Sequence, residues 1–559
     1  MLAGAAGALF GRALAQSAEQ GPAGSPAQRE FTVTRRYLNL AVKNGATQRC
    51  VSLFIEGQFA RQFNMELATA APDWWAFLDL GPFQGKRARV VVEPAPAGAG
   101  AFEAVEESNE LKGAADLYRE RLRPQFHFSS RRGWNNDPNG LVFYAGEYHL
   151  FYQHNPYGWN WGNMHWGHAV SADLVHWREL PIALYPDEHG TMFSGSAVVD
   201  WNNTAGFQTG SEKALVCIFT AAGKPFTQGL AFSNDRGRTW TKYSGNPVLP
   251  HVVGENRDPK VFWHEPSRRW IMALYLEGST YGLFSSPDLK TWTRLSDISI
   301  PGTSECPEFF EMPMAIDHPL SGRATRWAFY GGNGRYLIGF FDGQHFVTAS
   351  GPQTLQYGNC FYASQTYNDI PTTDGRRILI PWGTVALPGM PFNQMMGLPV
   401  ELTLSDIGWE RARLSVEPVR ELASLRRRRH VLDPQALCPG DNPLADIKAE
   451  LVEIIAELAP DEASEVGFNL RGVPLFYDAR KQELICEGKS APAPLSAGRL
   501  RLHVFVDRAS VDVFANQGSV YMPIGVIVPE DNHSLVLYAR DGEAVVHRLE
   551  VYELGSAWE

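Results

Sequence analysis

One short string recurs in the middle of this 559-residue chain. It reads Ser171-Ala172-Asp173-Leu174-Val175-His176-Trp177, then Ser286-Pro287-Asp288-Leu289-Lys290-Thr291-Trp292. Ser233-Asn234-Asp235-Arg236-Gly237-Arg238-Thr239-Trp240 is a looser copy between them. Serine comes first, aspartate two places on, tryptophan last. Aspartate side chains accept hydrogen bonds from the backbone just ahead of them, so the string predicts a capped turn with an indole packed beneath it. The copies stand about 50 to 60 residues apart, and each interval has room for about four short strands, the period of a propeller blade. About 300 residues at that interval give roughly five blades.

The apolar pattern agrees. Helical periodicity is almost absent before residue 410. Short runs such as Leu141-Val142-Phe143-Tyr144, Tyr148-His149-Leu150-Phe151-Tyr152 and Trp270-Ile271-Met272-Ala273-Leu274-Tyr275 recur between Gly, Pro, Asn and Asp, which reads as all-β. Phe31-Thr32-Val33, Cys50-Val51-Ser52-Leu53-Phe54-Ile55 and Ala88-Arg89-Val90-Val91-Val92 place strands in an N-terminal β-module, expected over 29–115. Pro94-Ala95-Pro96-Ala97-Gly98-Ala99-Gly100 has the composition of a linker. The propeller is expected over 120–425. Strand-like alternation in Leu502–Asp507 and Val511–Phe514 places a β-sandwich over 430–559. Arg426-Arg427-Arg428-Arg429 reads as a solvated stretch between the two, with a basic binding patch as the alternative.

Residues 1–28 are expected to be an export signal or a disordered terminus. Ala13-Leu14-Ala15 suits signal cleavage, although no basic start precedes the apolar run and Arg12 interrupts it. Secreted or periplasmic placement is expected from that segment. No stretch is long and apolar enough for a membrane-spanning helix. A net charge of -11 argues against a nucleic-acid partner, which needs a basic stripe. The 16 Trp, 19 Tyr and 31 Phe suit a protein that stacks sugar rings, though most must serve the core. Six cysteines are scattered without CxxC spacing, so no zinc or redox signature is present, and Cys438 with Cys486 is a candidate pair for a bridge.

Three acidic motifs stand apart from ordinary surface charge. In Trp134-Asn135-Asn136-Asp137-Pro138-Asn139-Gly140 an aspartate sits before proline, which pushes it to extended backbone, and Asn139-Gly140 predicts a tight turn. Arg257-Asp258-Pro259 repeats the Asp-Pro pair beside an arginine, and Ser304-Glu305-Cys306-Pro307-Glu308 supplies a third acid. Glycoside cleavage needs one carboxylate to attack and one carboxylic acid to protonate the leaving oxygen, with environments that hold their pKa values apart. A third carboxylate holds sugar hydroxyls. Arg257 is expected to keep Asp258 ionised, and the other two charges to keep Glu305 protonated. Calcium binding is a rival use of three carboxylates, but EF-hand spacing is absent. A serine hydrolase is another, but Phe193-Ser194-Gly195-Ser196 is not a Gly-x-Ser-x-Gly elbow. No metal-ligand constellation is visible, and this chemistry needs neither metal nor cofactor.

With these motifs in order, residues 120–555 resemble glycoside hydrolase family 32, the invertases, inulinases and levanases. Trp134–Gly140 is similar to the family's nucleophile motif, Arg257-Asp258-Pro259 to its transition-state stabiliser, and Glu305-Cys306 to its acid/base. Phe151–Pro156, Trp166-Gly167-His168, Phe193–Ser196, Tyr362-Ala363-Ser364-Gln365, Phe505–Arg508 and Val511–Phe514 extend the match. The resemblance implies a five-bladed propeller followed by a sandwich, with Asp137 as nucleophile, Asp258 as stabiliser and Glu305 as acid/base. It implies a closed-ended pocket for terminal fructose lined by Trp134, Asn136, Gln153, Trp161, Phe193, Ser194, Ser196 and Arg257. Asn135 stands where the family usually has Met, and Pro399-Val400-Glu401-Leu402 lacks a common arginine. The N-terminal region resembles an extra β-module of some bacterial levanases. Asn155–Gly158 and Tyr185–Gly190 look most like exo-levanases and exo-inulinases. Other readings are an invertase-type sucrose hydrolase, a fructosyltransferase, an inverting propeller hydrolase of arabinan or xylan, and an inert fructan-binding protein.

Overall fold

The computed structural model describes residues 26–95, 102, 104–318, 322–405 and 412–559. The proposed signal segment therefore lies outside the described residues, apart from its last three positions. These residues contain no α-helix, and no helix among them is long and apolar enough to cross a membrane. The chain divides into two compact units, 1–114 and 115–559.

The first unit holds two antiparallel sheets. One has four strands in the order Ala27–Thr32, Arg87–Glu93, Arg49–Ile55 and Gln58–Met65, and the other runs Trp74–Asp79, Tyr37–Val42, Val105–Ser108. Alternation buries Val51, Leu53, Val90 and Val92 of the first sheet and Ala76 and Leu78 of the second, whose middle strand is buried throughout from Leu38 to Val42. That period of two is what a sheet with one wet face requires.

The second unit opens with five four-stranded blades. Their innermost strands are Gly133–Tyr144, Thr191–Asp200, Arg257–His264, Glu308–His318 and Tyr362–Thr366. Phe392–Asn393 runs parallel to Gly133–Trp134 and ties the fifth blade to the first. Middle strands such as His165–Ser171 and Ala214–Ala222 are buried almost without a break, because each blade is covered on both faces by its neighbours. The recurring string forms the capped turn expected of it. Asp173, Asp235 and Asp288 each take a hydrogen from the preceding serine hydroxyl (3.0, 2.7 and 3.1 Å) and accept from backbone N–H groups ahead. A fourth copy, unmarked in the sequence, occurs at Asp342, which accepts from Gln344 and His345 N–H without serine or tryptophan.

Polar groups close the propeller axis. Lys260 and Glu308 form a fully buried ion pair at 2.9 Å, and both bond Thr366. Asn368 donates to Ala197 O and Val261 O, so one amide joins the second, third and fifth blades.

Two sheets of a β-sandwich follow, one containing Val452–Ala459, Leu500–Val506, Ser510–Ala515 and Ala544–Leu554, the other Glu465–Leu470, Val473–Asp478 and Leu535–Arg540. The arginine run is solvated as expected, but it is a strand and not a linker. Arg426–Leu432 is an edge strand, and its cations are paired with Glu453, Glu559, Glu553 and Glu550. Charged edges of this kind resist pairing with another sheet. All six cysteines are free, so Cys438 and Cys486 are not bridged.

Candidate active site

The seven-residue string around Asp137 does not form the turn its composition suggests. It lies within one inner strand, with register irregularities at Asn135/Pro138 and Asn139/Val142. Gly140 takes φ +54° where a Cβ would press on the Phe151 ring at 2.7 Å, so close packing explains the glycine. The bulges re-aim the strand's side chains, as bulges beside active sites do. Asp137 thereby faces a small pocket shared with Ser194, Asp258, Cys306 and Ser364.

Asp258 differs from the extended backbone that a following proline favours. Its φ is +63°, at a break in register between Arg257 and Lys260. Its N–H donates to Thr220 Oγ1 (3.0 Å), and its carboxylate accepts from Cys306 N–H (3.1 Å), so the surroundings hold the unfavourable conformation. Glu305, Cys306 and Ala363 also have positive φ, which concentrates backbone strain around this pocket.

Cys306 lies between two of the acids. Its Sγ is 3.6 Å from Asp137 Oδ2 and 3.5 Å from Asp258 Oδ2. Burial pushes the thiol pKa well up, and the two carboxylates push it further. It therefore stays a neutral S–H with one hydrogen to give. Asp137 Oδ2 also accepts from Ser194 Oγ (2.6 Å), and Oδ1 from Asn136 Nδ2 (3.0 Å). Burial nevertheless holds the Asp137 carboxyl above its ordinary range, against those donors. Asp258 is pushed up to about 7, first by burial, and the Arg257 cation only partly offsets this.

Arg257 therefore does not hold Asp258 ionised as expected. Its Nη2 donates to Glu305 Oε1 at 2.6 Å, while its Nε stands 3.9 Å from Asp258. The other Glu305 oxygen accepts from the Tyr362 hydroxyl at 2.6 Å. Glu305 meets a cation and a phenol at closest range, and its side chain is 31% exposed.

The remaining candidates fall into two groups. Trp134 donates Nε1–H to Asn136 Oδ1 (2.8 Å), so the indole fixes the amide that holds Asp137. Trp161, 46% exposed, packs edge-on against Phe193, and Phe193 against Phe226. Gln153 is buried and donates to Met192 O (2.9 Å). The Asn139 amide is satisfied when its oxygen accepts from Gln153 Nε2 (3.0 Å). Ser196 differs from expectation. It is fully buried, its hydroxyl donates to Pro259 O and accepts from Val261 N–H, and it joins two inner strands instead of lining the pocket. Bulging at Phe193/Gly195 explains this, since it turns Ser194 toward Asp137 and Ser196 away. The contact that sequence reasoning missed is Tyr362 to Glu305. The Tyr-Ala-Ser-Gln string marked the segment, but no spacing shows that its hydroxyl crosses 57 residues to a carboxylate.

Among the described residues, no group of three or more His, Cys, Asp or Glu is arranged to hold a metal ion.

Comparison with known proteins agrees with this site. Residues 127–418 match the glycosyl hydrolases family 32 N-terminal domain, and residues 421–553 match the family 32 C-terminal domain. A levanase of Bacillus subtilis (strain 168) is 41% identical over 496 residues, covering 80% of this chain and 72% of that protein. An extracellular exo-inulinase of Aspergillus awamori is 30% identical over 521 residues, covering 79% and 96%. A crystal structure of exo-inulinase from that organism has a TM-score of 0.72 at 28% identity, over 79% of this chain and 100% of that one. The chain is a glycoside hydrolase and belongs to family 32.

Proposed function

We propose that this enzyme is a retaining β-fructosidase that removes terminal fructose from levan or inulin and also cleaves sucrose. The observation that carries the reading is a pocket where Cys306 joins Asp137 to Asp258, with Glu305 next to Cys306 in sequence and bonded to the Arg257 that neighbours Asp258, in a chain whose relatives include a levanase and an exo-inulinase.

Asp137 attacks the anomeric carbon, aimed by Ser194 and Asn136. Glu305, steadied by Arg257 and Tyr362, protonates the leaving oxygen. Water then enters as Glu305 takes back a proton, which completes two displacements and retains configuration. Asp258 accepts from fructosyl hydroxyls, and this bond strengthens as the ring flattens toward an oxocarbenium ion. Trp134, Asn136, Gln153, Trp161, Phe193 and Ser194 shape and orient the fructosyl site. The functional division is an N-terminal module over 29–115, a catalytic propeller over 120–425 and a sandwich over 430–559. The enzyme acts outside the cytosol, where its polymer is found, and the extracellular inulinase supports that placement.

The test is product analysis on sucrose, inulin and levan side by side. Free fructose should dominate from the first minutes while polymer size falls slowly. Early fructo-oligosaccharides from polymer would overturn exo-attack. Oligosaccharide synthesis from concentrated sucrose as the main reaction would favour a fructosyltransferase instead.

A further inference from the structure

The inner strands enclose a second and larger cavity, about 370 Å³, at their far ends. It begins where Val198–Trp201 and Phe262–Pro266 end two of those strands, and Asn368 and Asp369 follow a third. His264 lies six residues beyond Asp258 on the same strand, or about 20 Å at about 3.3 Å per residue. Between the two cavities stand the Lys260–Glu308 pair and Thr366, all buried. This second cavity is therefore not the back of the first.

Its lining is built. Trp201 is 50% exposed. Its Nε1–H is held by Asp369 Oδ1 at 2.9 Å, and Trp263 is held likewise by Glu265 Oε2 at 2.5 Å. Both indoles are thus fixed in orientation with open surface. Glu265, Glu311 and Asp369 line the space together with one arginine, Arg377, and one oxygen each of Glu265 and Glu311 remains to accept from a ligand. This surplus of acceptors repels anions and suits a neutral ligand rich in hydroxyl donors. A flat apolar wall with a few convergent polar groups is the chemistry of a sugar site.

We propose that this cavity is a second carbohydrate-binding site, and that it holds a distal stretch of the fructan chain while another chain end is cleaved in the first pocket. The proposal rests on the fructan reading above. A polymer engaged at two places gains apparent affinity by effective concentration, whereas sucrose, too short to span them, gains none.

The experiment compares Trp201→Ala, Trp201→Leu and Trp263→Ala with wild type. On levan and inulin the half-saturating concentration should rise about five- to tenfold, with kcat/KM on sucrose within twofold of wild type. Affinity electrophoresis in gels carrying either polymer supplies a readout without turnover. The Asp137→Ala enzyme should be retarded, and adding Trp201→Ala should remove much of that retardation. Trp201→Leu keeps an apolar side chain at this half-exposed position but removes the flat ring and the hydrogen bond to Asp369, and circular dichroism checks that the fold is intact. If it leaves both polymer kinetics and gel retardation unchanged, the site does not bind fructan. If gel filtration shows a wild-type dimer that Trp201→Leu dissociates while polymer binding holds, the face is a contact between copies and the proposal fails. Absence of fructose release from either polymer by wild type would refute the proposed function instead, and the gel assay would still read the site.

Discussion

Tyr362 donates its phenolic hydrogen to Glu305 Oε2 across 2.6 Å, a bond from the fifth inner strand to the segment that enters the fourth. It fixes one carboxyl oxygen while Arg257 fixes the other. A protein hydrogen bond contributes about 0.5–1.5 kcal/mol net. Tyr362→Phe should therefore lower kcat by about 2- to 10-fold. KM should change little if the bond positions the acid and does not touch substrate. Steady-state kinetics on sucrose checks this, and an unchanged kcat would remove Tyr362 from the mechanism.

Assignment of nucleophile and acid leads to a paired prediction. Asp137→Ala and Glu305→Ala should each cost several orders of magnitude in kcat with the fold intact by circular dichroism. They should differ in rescue. Azide should restore turnover of Glu305→Ala on a substrate whose leaving group needs no proton, because the covalent step through Asp137 survives. Retention of more than a few per cent activity by Asp137→Ala would show that the nucleophile lies elsewhere.

The pH dependence follows from Asp258. Burial raises it to about 7, the charges of Asp137 and Glu305 add to this, and Arg257 pulls it down. Asp137 is raised too, by burial first. Both must be anions for attack and for hydroxyl binding, so kcat/KM, which reports the free enzyme, should fall as pH drops through neutrality. The limb belongs to the coupled pair and not to one residue. Arg257→Gln removes the lowering charge, so the limb should move to higher pH. Movement to lower pH, or none, would contradict the electrostatic account.

The sequence made local chemistry legible and long-range contacts not. Ser-x-Asp turns were readable because the hydrogen bonds that make them span a few residues, as at Asp173 and Asp288. The fourth copy, at Asp342, kept that chemistry but lost the serine and tryptophan that flagged it. Asp137 and Asp258 could be singled out by their prolines. Their backbones were harder to read, since tertiary packing overrode turn propensity at Gly140 and gave Asp258 a positive φ. Arg257 beside Asp258 suggested a pair by adjacency, and the two do stand 3.9 Å apart, but the closer bond of the guanidinium is to another acid. Its partner proved to be Glu305, 48 residues away. The arginine run looked like a linker because its glutamates, Glu453, Glu550 and Glu553, lie on distant strands.

The two aspartates of the sandwich signature also find their partner far away. Asp507 Oδ2 lies 2.8 Å from His127 Nδ1, and Asp512 Oδ2 lies 3.1 Å from Nε2, so one buried imidazole at the start of the propeller is clamped by the sandwich. Burial alone would lower the His127 pKa, but the charges and hydrogen bonds of Asp512 and Asp507 overcome it and raise it from 6.5 to about 9. Asp507, though penalised by burial, is held below its usual range by His127 and by the N–H groups of Gln125 and Phe126. The signs are opposite. The raised histidine stabilises the fold fully below about pH 6.5, and this contribution is lost as pH rises through about 9. The lowered aspartate stabilises above the ordinary carboxylate range and loses its contribution in acid. The clamp should thus be strongest between about pH 5 and 6.5, and raising pH from 6.5 to 9 should cost on the order of 3 kcal/mol. Urea unfolding at a series of pH values checks this. The midpoint of wild type should fall over that interval, and His127→Gln should start lower and lose the slope. A wild-type midpoint that is flat from pH 6.5 to 9 would mean that the imidazole is not charged in the clamp.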